Sequence, residues 1–100
     1  MTGDGTQPWR VEITPPAARN LQKVPAKVVG ALVEFIYGGL AKNPRLRGKP
    51  LGRELEGLWS ARREDYRVLY RLDQDSRTLY VVRVGHRGVI YKVVEGEGPE

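Results

Sequence analysis

Cysteine is absent from the 100 residues, and histidine, methionine and phenylalanine occur once each. Without cysteine there are no disulfide staples and no thiolate metal ligands, which fits a reducing cytoplasm. A single histidine, His86, excludes a histidine pair for catalysis and any multi-histidine metal centre. No apolar run approaches the length that spans a membrane, and the N-terminus lacks a signal-peptide pattern. No carboxylate pair, Ser/His/Asp set or metal-ligand spacing is present either. These absences predict a cytoplasmic protein with no metal, no cofactor and no membrane partner.

What is abundant is positive charge. Seventeen lysines and arginines face twelve acids, for a net charge of +5 and a pI of 9.8. Three of the acids, Glu95, Glu97 and Glu100, sit in the last six residues, so the body is more basic still. Such a balance suits an anionic partner: nucleic acid, an acidic protein or an anionic surface. Residues 1–8 read as a flexible lead-in, 9–94 as one domain, and 95–100 as a disordered acidic tail.

Hydrophobic periodicity divides the body. Trp9, Val11 and Ile13 alternate with Arg10 and Glu12, the pattern of a half-buried strand. Thr14 before Pro15-Pro16 is an N-cap with prolines in the first helical turn. Ala17, Ala18, Leu21 and Val24 share one side of that short helix, and Pro25 opens a second. Val28, Val29, Leu32, Phe35, Ile36 and Leu40 form one stripe over residues 26–41, with Gly38-Gly39 expected to end or fray it. Asn43 to Arg53 reads as a loop rich in turn residues and free of acids. Strands are then expected at Leu55–Arg63, Tyr66–Leu72 and Thr78–Val84, with a brief edge pairing at Val89–Val94. Short connections make neighbouring strands antiparallel. The expected fold is α+β: an N-terminal strand, a helical hairpin, then three to four antiparallel strands, the helices packed on one face of a twisted sheet.

Two of these strands carry arginines beside apolar residues, an arrangement that favours an anionic partner. Arg67 alternates with Tyr66, Val68 and Tyr70. If those three point at the helices, Arg67 and Arg71 face the open side. A guanidinium on a rigid strand grips a phosphate bidentately and stabilises charge developing in phosphoryl transfer. Arg62 and Arg63 lie on opposite faces of their strand, so only one can join Arg67. His86 and Arg87 follow a strand end, after Gly85: a lone acid or base, and a further phosphate clamp. Tyr91 is placed to stack on a base or exchange a proton with a ribose hydroxyl. Arg45, Arg47 and Lys49 in the acid-free loop are candidates for tracking an RNA backbone. The plainer alternatives are an exposed strand arginine paired with an acid across the sheet for Arg67, a polar residue ending a strand for His86, an amphipathic edge residue for Tyr91, and solvated charges for Arg87 and the loop.

The stretch L-x-G-L-W-S-A-R-R-x-D-Y-R-V-L-Y from Leu55 to Tyr70, followed by V-G-H-R-x-x-x-Y from Val84 to Tyr91, resembles the RelE branch of the RelE/ParE toxin superfamily. The resemblance runs over roughly residues 9 to 93. It implies a toxin of a type II toxin–antitoxin system, a ribosome-dependent mRNA endonuclease. There the ribose 2′-hydroxyl attacks its own phosphate without a metal. It further implies partnership with a cognate antitoxin, action on messenger in the ribosomal A site, and contact with operator DNA only through the antitoxin complex. Matched position by position, the resemblance sets Arg67 on the family's strand arginine, Arg87 on the arginine after the last long strand, Tyr91 on the C-terminal tyrosine and Arg62 on a basic position of the preceding strand. One departure stands out. Relatives place lysines on the strand before Arg67, where this chain reads Leu58-Trp59-Ser60-Ala61, leaving the general base open between His86 and Tyr91. The alternatives are a ParE-like inhibitor of DNA gyrase and a catalytically degenerate binding protein.

Overall fold

The computed structural model describes residues 7–52, 55–88 and 90. Tyr91, the tail at 95–100 and most of the expected edge strand at 89–94 therefore lie outside the described residues. Strand β1 spans Arg10–Ile13, helix α1 Pro15–Gln22 and helix α2 Ala26–Phe35. A π-helical turn, Ile36–Leu40, extends α2, and one turn of helix, α3, covers Pro44–Arg47. Strands β2 (Gly48–Pro50), β3 (Trp59–Arg63), β4 (Tyr66–Asp73) and β5 (Thr78–His86) follow. They form one five-stranded sheet in the order β1-β5-β4-β3-β2. Neighbours are antiparallel except β1 and β5, the first and last strands, which run parallel.

Thr14 caps α1 as its position suggests: its Oγ1 accepts from the Ala17 N–H at 3.4 Å. The same hydroxyl donates to the Val81 carbonyl at 2.8 Å, tying the helix start to β5. Gly38-Gly39 does not end α2. The helix widens there instead, because Ile36, Leu40 and Ala41 are buried and the chain must stay over the sheet to keep them so. Nor is Asn43–Arg53 wholly a loop. Gly48–Pro50 pairs with β3 as an edge strand, a place where proline is tolerated. Residues 55–58 turn before β3, which begins at Trp59 and is shorter than the expected Leu55–Arg63.

The core lies between the helices and one face of the sheet. Leu32, Ile36 and Leu40 meet Ala61, Val68, Tyr70, Leu79, Val81 and Val84, all 2% exposed or less. Trp59 stacks on Tyr70, ring centroids 6.3 Å apart. The Tyr70 hydroxyl donates to the Pro44 carbonyl at 2.6 Å, which binds α3 to the sheet, and burial pushes its phenol above the ordinary tyrosine pKa. On β5 the alternation breaks. Leu69 pairs with Arg83 and Tyr70 with Val81, leaving Val82 as the extra residue of a β-bulge. The bulge reverses the phase of the strand. Leu79 and Val81 before it, and Val84 after it, all reach the core, while Arg83 turns to the open face.

Candidate nucleic-acid interface

Alternation along β4 sends Tyr66, Val68 and Tyr70 under the helices, and therefore Arg67, Leu69 and Arg71 to the other side. Cross-strand register then builds that open face. Arg62 on β3 stands directly opposite Arg67 on β4. One row along, Lys49, Ser60, Leu69 and Arg83 follow one another across β2, β3, β4 and β5. Leu69 is fully buried yet outside the core cluster, so neighbouring side chains cover it on this face.

A cleft of about 420 Å³ opens here, lined by the cations Arg47, Lys49, Arg62 and Arg67, the hydroxyl-bearing Ser60, and Leu46 and Leu51. Among the described residues no carboxylate lines it. Directly opposed like charges repel, so an arginine pair in register is maintained for something other than sheet stability. Arg67 is braced: its Nη1 donates to the carbonyls of Glu64 at 3.2 Å and Tyr66 at 3.1 Å. Among the described residues neither Arg62 nor Arg67 forms an ion pair. Guanidiniums beside an ammonium, with Leu46 and Leu51 in the same cleft, suit a phosphodiester whose base or ribose rests on those leucines.

The remaining expected residues are dispersed. Arg87 lies at the β3–β4 turn, where its backbone N–H donates to the Asp65 carbonyl at 2.8 Å and its Nε sits 3.9 Å from the Asp65 carboxylate. Arg71 shares the open face but lies toward its other end, opposite Tyr80 and beside Gly57. Arg45 is elsewhere: its guanidinium stacks over Trp9, 5.3 Å from the ring centroid, and bonds Gln74. The expectation that Arg45 shares a surface with Arg47 and Lys49 is thus not met, because α3 turns successive side chains in different directions.

His86 is not brought to Arg67. It pairs with Tyr66, its ring lies edge-on to Tyr66 at 5.6 Å, and with Lys23, Asn20 and Ile90 it lines a hollow on the helix side of the sheet. Its partner in β4 is a core-facing residue, so sheet parity sets the imidazole and the Arg67 guanidinium on opposite faces. Tyr91 lies outside the described residues. Arg83 was not singled out beforehand. Strict alternation from Leu79 and Val81 assigns it to the core, and only the bulge at Val82 moves it; the lone charge in an apolar strand was the available signal.

The sequence and the fold have counterparts. The family model described as the ParE toxin of type II toxin–antitoxin systems matches residues 11–91. The chain is 47% identical to Toxin RelG of Mycobacterium tuberculosis over 85 residues, covering 85% of this chain and 98% of the relative. It is 45% identical to Toxin RelE of the same organism over 86 residues, covering 86% of this chain and 89% of that toxin. The structure superimposes on the toxin–antitoxin complex RelBE2 from Mycobacterium tuberculosis with a TM-score of 0.79 at 47% identity, over 81% of this chain and all of the matched one. A family match across nearly the whole sheet and both long helices, with near-half identity to two toxins, means that the chain belongs to the RelE/ParE superfamily of type II toxins.

Proposed function

We propose that this chain is a toxin that cuts messenger RNA while a ribosome presents it, and that a cognate antitoxin restrains it. The observation that carries the reading is the in-register pair Arg62–Arg67 in a cleft with Arg47 and Lys49 and, among the described residues, no acid. A ribose 2′-hydroxyl attacking its own phosphate generates a phosphorane with extra negative charge. Two guanidiniums fixed on adjacent strands stabilise that charge without rearranging. Arg47 and Lys49 line the path the flanking backbone would follow, and Arg87 at the strand end would take a neighbouring phosphate. The cleft is open and small, so orientation of the attacking hydroxyl has to come from elsewhere; the decoding site of a ribosome supplies it. The partner reading rests on the RelBE2 relative, a toxin–antitoxin complex, and on the basic surface, which an acidic or amphipathic segment would neutralise. Operator DNA would be reached through that complex.

Primer extension on a message in a purified translation system, with and without ribosomes, tests this. Wild type should give discrete cuts with ribosomes only. Arg67→Ala should lower the cleavage rate about 10²-fold or more while leaving folding and antitoxin binding intact. Cutting of naked RNA at the same rate contradicts the ribosome dependence. The ParE description of the family model favours a second reading, inhibition of DNA gyrase. A supercoiling assay with purified gyrase separates the two: inhibition by the wild type with no cleavage of any message would replace the nuclease.

A further inference from the structure

We infer that Lys49 is the proton donor of this site, delivered by the edge strand β2. The inference rests on the nuclease reading above and deepens it. Breaking an RNA strand by 2′-hydroxyl attack needs a proton for the departing 5′-oxygen, a strongly basic alkoxide. Arginine does not surrender its proton in proteins, so Arg47, Arg62 and Arg67 stabilise charge but give nothing up. A serine hydroxyl that gave up its proton would leave an alkoxide about as basic as the departing oxygen, so Ser60 gains nothing as the acid. The imidazole of His86 and the phenols of Tyr66 and Tyr70 belong to the other face of the sheet. Among the described residues that line the cleft, the Lys49 ammonium is therefore the group able to pass on a proton.

Its placement is built. Lys49 pairs with Ser60, so its side chain leaves β2 on the open face, one residue row from Arg62 and Arg67. Gly48 beside it permits the close approach of β2, since a Cβ there would lie 2.9 Å from the Ser60 carbonyl oxygen and collide with the Tyr70 hydroxyl. Tyr70 in turn holds the Pro44 carbonyl, fixing the segment that leads into β2. In the step, the 2′-oxygen bonds to phosphorus and its proton passes to water. The bond from phosphorus to the 5′-oxygen breaks, and the Lys49 Nζ proton goes to that oxygen. The products are a 2′,3′-cyclic phosphate and a 5′-hydroxyl, and the amine recovers its proton from water.

The test uses ribosome-bound messages with either oxygen or sulfur at the 5′-bridging position of the cut. A thiolate leaves without protonation, so the sulfur message removes the need for an acid. Lys49→Arg keeps the charge and withholds the proton. It should cut the oxygen message about 10²-fold or more slowly than wild type, yet cut the sulfur message within a few-fold of wild type. Lys49→Met should be slow on oxygen, and on sulfur slower than Lys49→Arg because the charge is gone. Equal activity of Lys49→Arg and wild type on oxygen overturns the assignment and points to a residue outside the described ones, Tyr91 first. An equal deficit on both messages, with unchanged thermal unfolding, overturns it in favour of charge or position alone. A wild-type chain that cuts neither message overturns the nuclease reading, and the role of Lys49 with it.

Discussion

Arg62 and Arg67 carry a conflict between stability and use. Their strands pair with the two guanidiniums directly opposed, and like charges in that position destabilise a sheet by about 0.2–1 kcal/mol. Arg62 is exposed, so solvent and salt screen part of that repulsion. Arg62→Gln should therefore be slightly more stable than wild type, by about 0.5 kcal/mol at low salt. That corresponds to a melting temperature roughly 2–4 °C higher for a domain of this size. The gain should shrink in high salt, and cleavage should fall by about tenfold or more. Unfolding in buffers of two ionic strengths checks this; no gain at either would mean the guanidiniums already diverge. Glu64, at the turn beside them, holds a φ of 55°, a left-handed conformation that a side chain resists. Its carbonyl receives Arg67, and Asp65 receives Arg87, so this awkward turn organises both arginines.

At the level of elements, β2 is the smallest piece and positions the most chemistry. Three residues long, it hangs on the fit of Gly48 against Ser60 and Tyr70. Gly48→Ala should destabilise the protein by about 1–3 kcal/mol through overpacking. Tyr70→Phe also destabilises, because it leaves the Pro44 carbonyl without its buried donor. Combined, the two should cost less than their sum, since the phenylalanine vacates the space the new methyl enters. Urea denaturation of the two single variants and the double variant measures the coupling, and strict additivity would show that the hydroxyl is not what excludes a side chain. β2 was hidden in the sequence because Gly48 and Pro50 carry turn signals, and only pairing with β3 makes them a strand. β4 was legible: its alternation of Tyr66, Val68 and Tyr70 with Arg67 and Arg71 is unbroken. β5 was half legible, since the bulge at Val82 rephases it and no single-strand pattern announces a bulge. The same limit hid the placement of His86. Which face it takes depends on its pairing with Tyr66 across the sheet, a relation between strands that neither strand records alone.

For the whole molecule, charge is divided by face. The helix side encloses an apolar core, and the open side gathers Lys49, Arg62, Arg67 and Arg83 over buried Leu69, with Arg47 at the rim. Binding of a short 2′-O-methyl RNA, which cannot be cut by 2′-attack, should therefore weaken steeply with salt. Four cleft cations imply a slope near −3 in log K against log salt. Neutralising Lys49 or Arg62 should flatten it by about 0.7 each, whereas Arg45→Gln, whose guanidinium rests on Trp9, should leave it unchanged. Fluorescence anisotropy across a salt series reads all three; equal flattening by Arg45→Gln would mean that the whole surface, and not the cleft, holds RNA. The parallel pairing of β1 with β5 bears on when such a surface can exist at all. Among the described residues β1 has no other strand neighbour, and β5 is the latest of the described strands to be synthesised. A ribosome translating this chain therefore carries an unfinished sheet until residues 78–86 have left its exit tunnel. Lys49, Arg62 and Arg67 are all made before the strand that joins β1 to them, so the cationic face waits on a later partner before it can hold its shape.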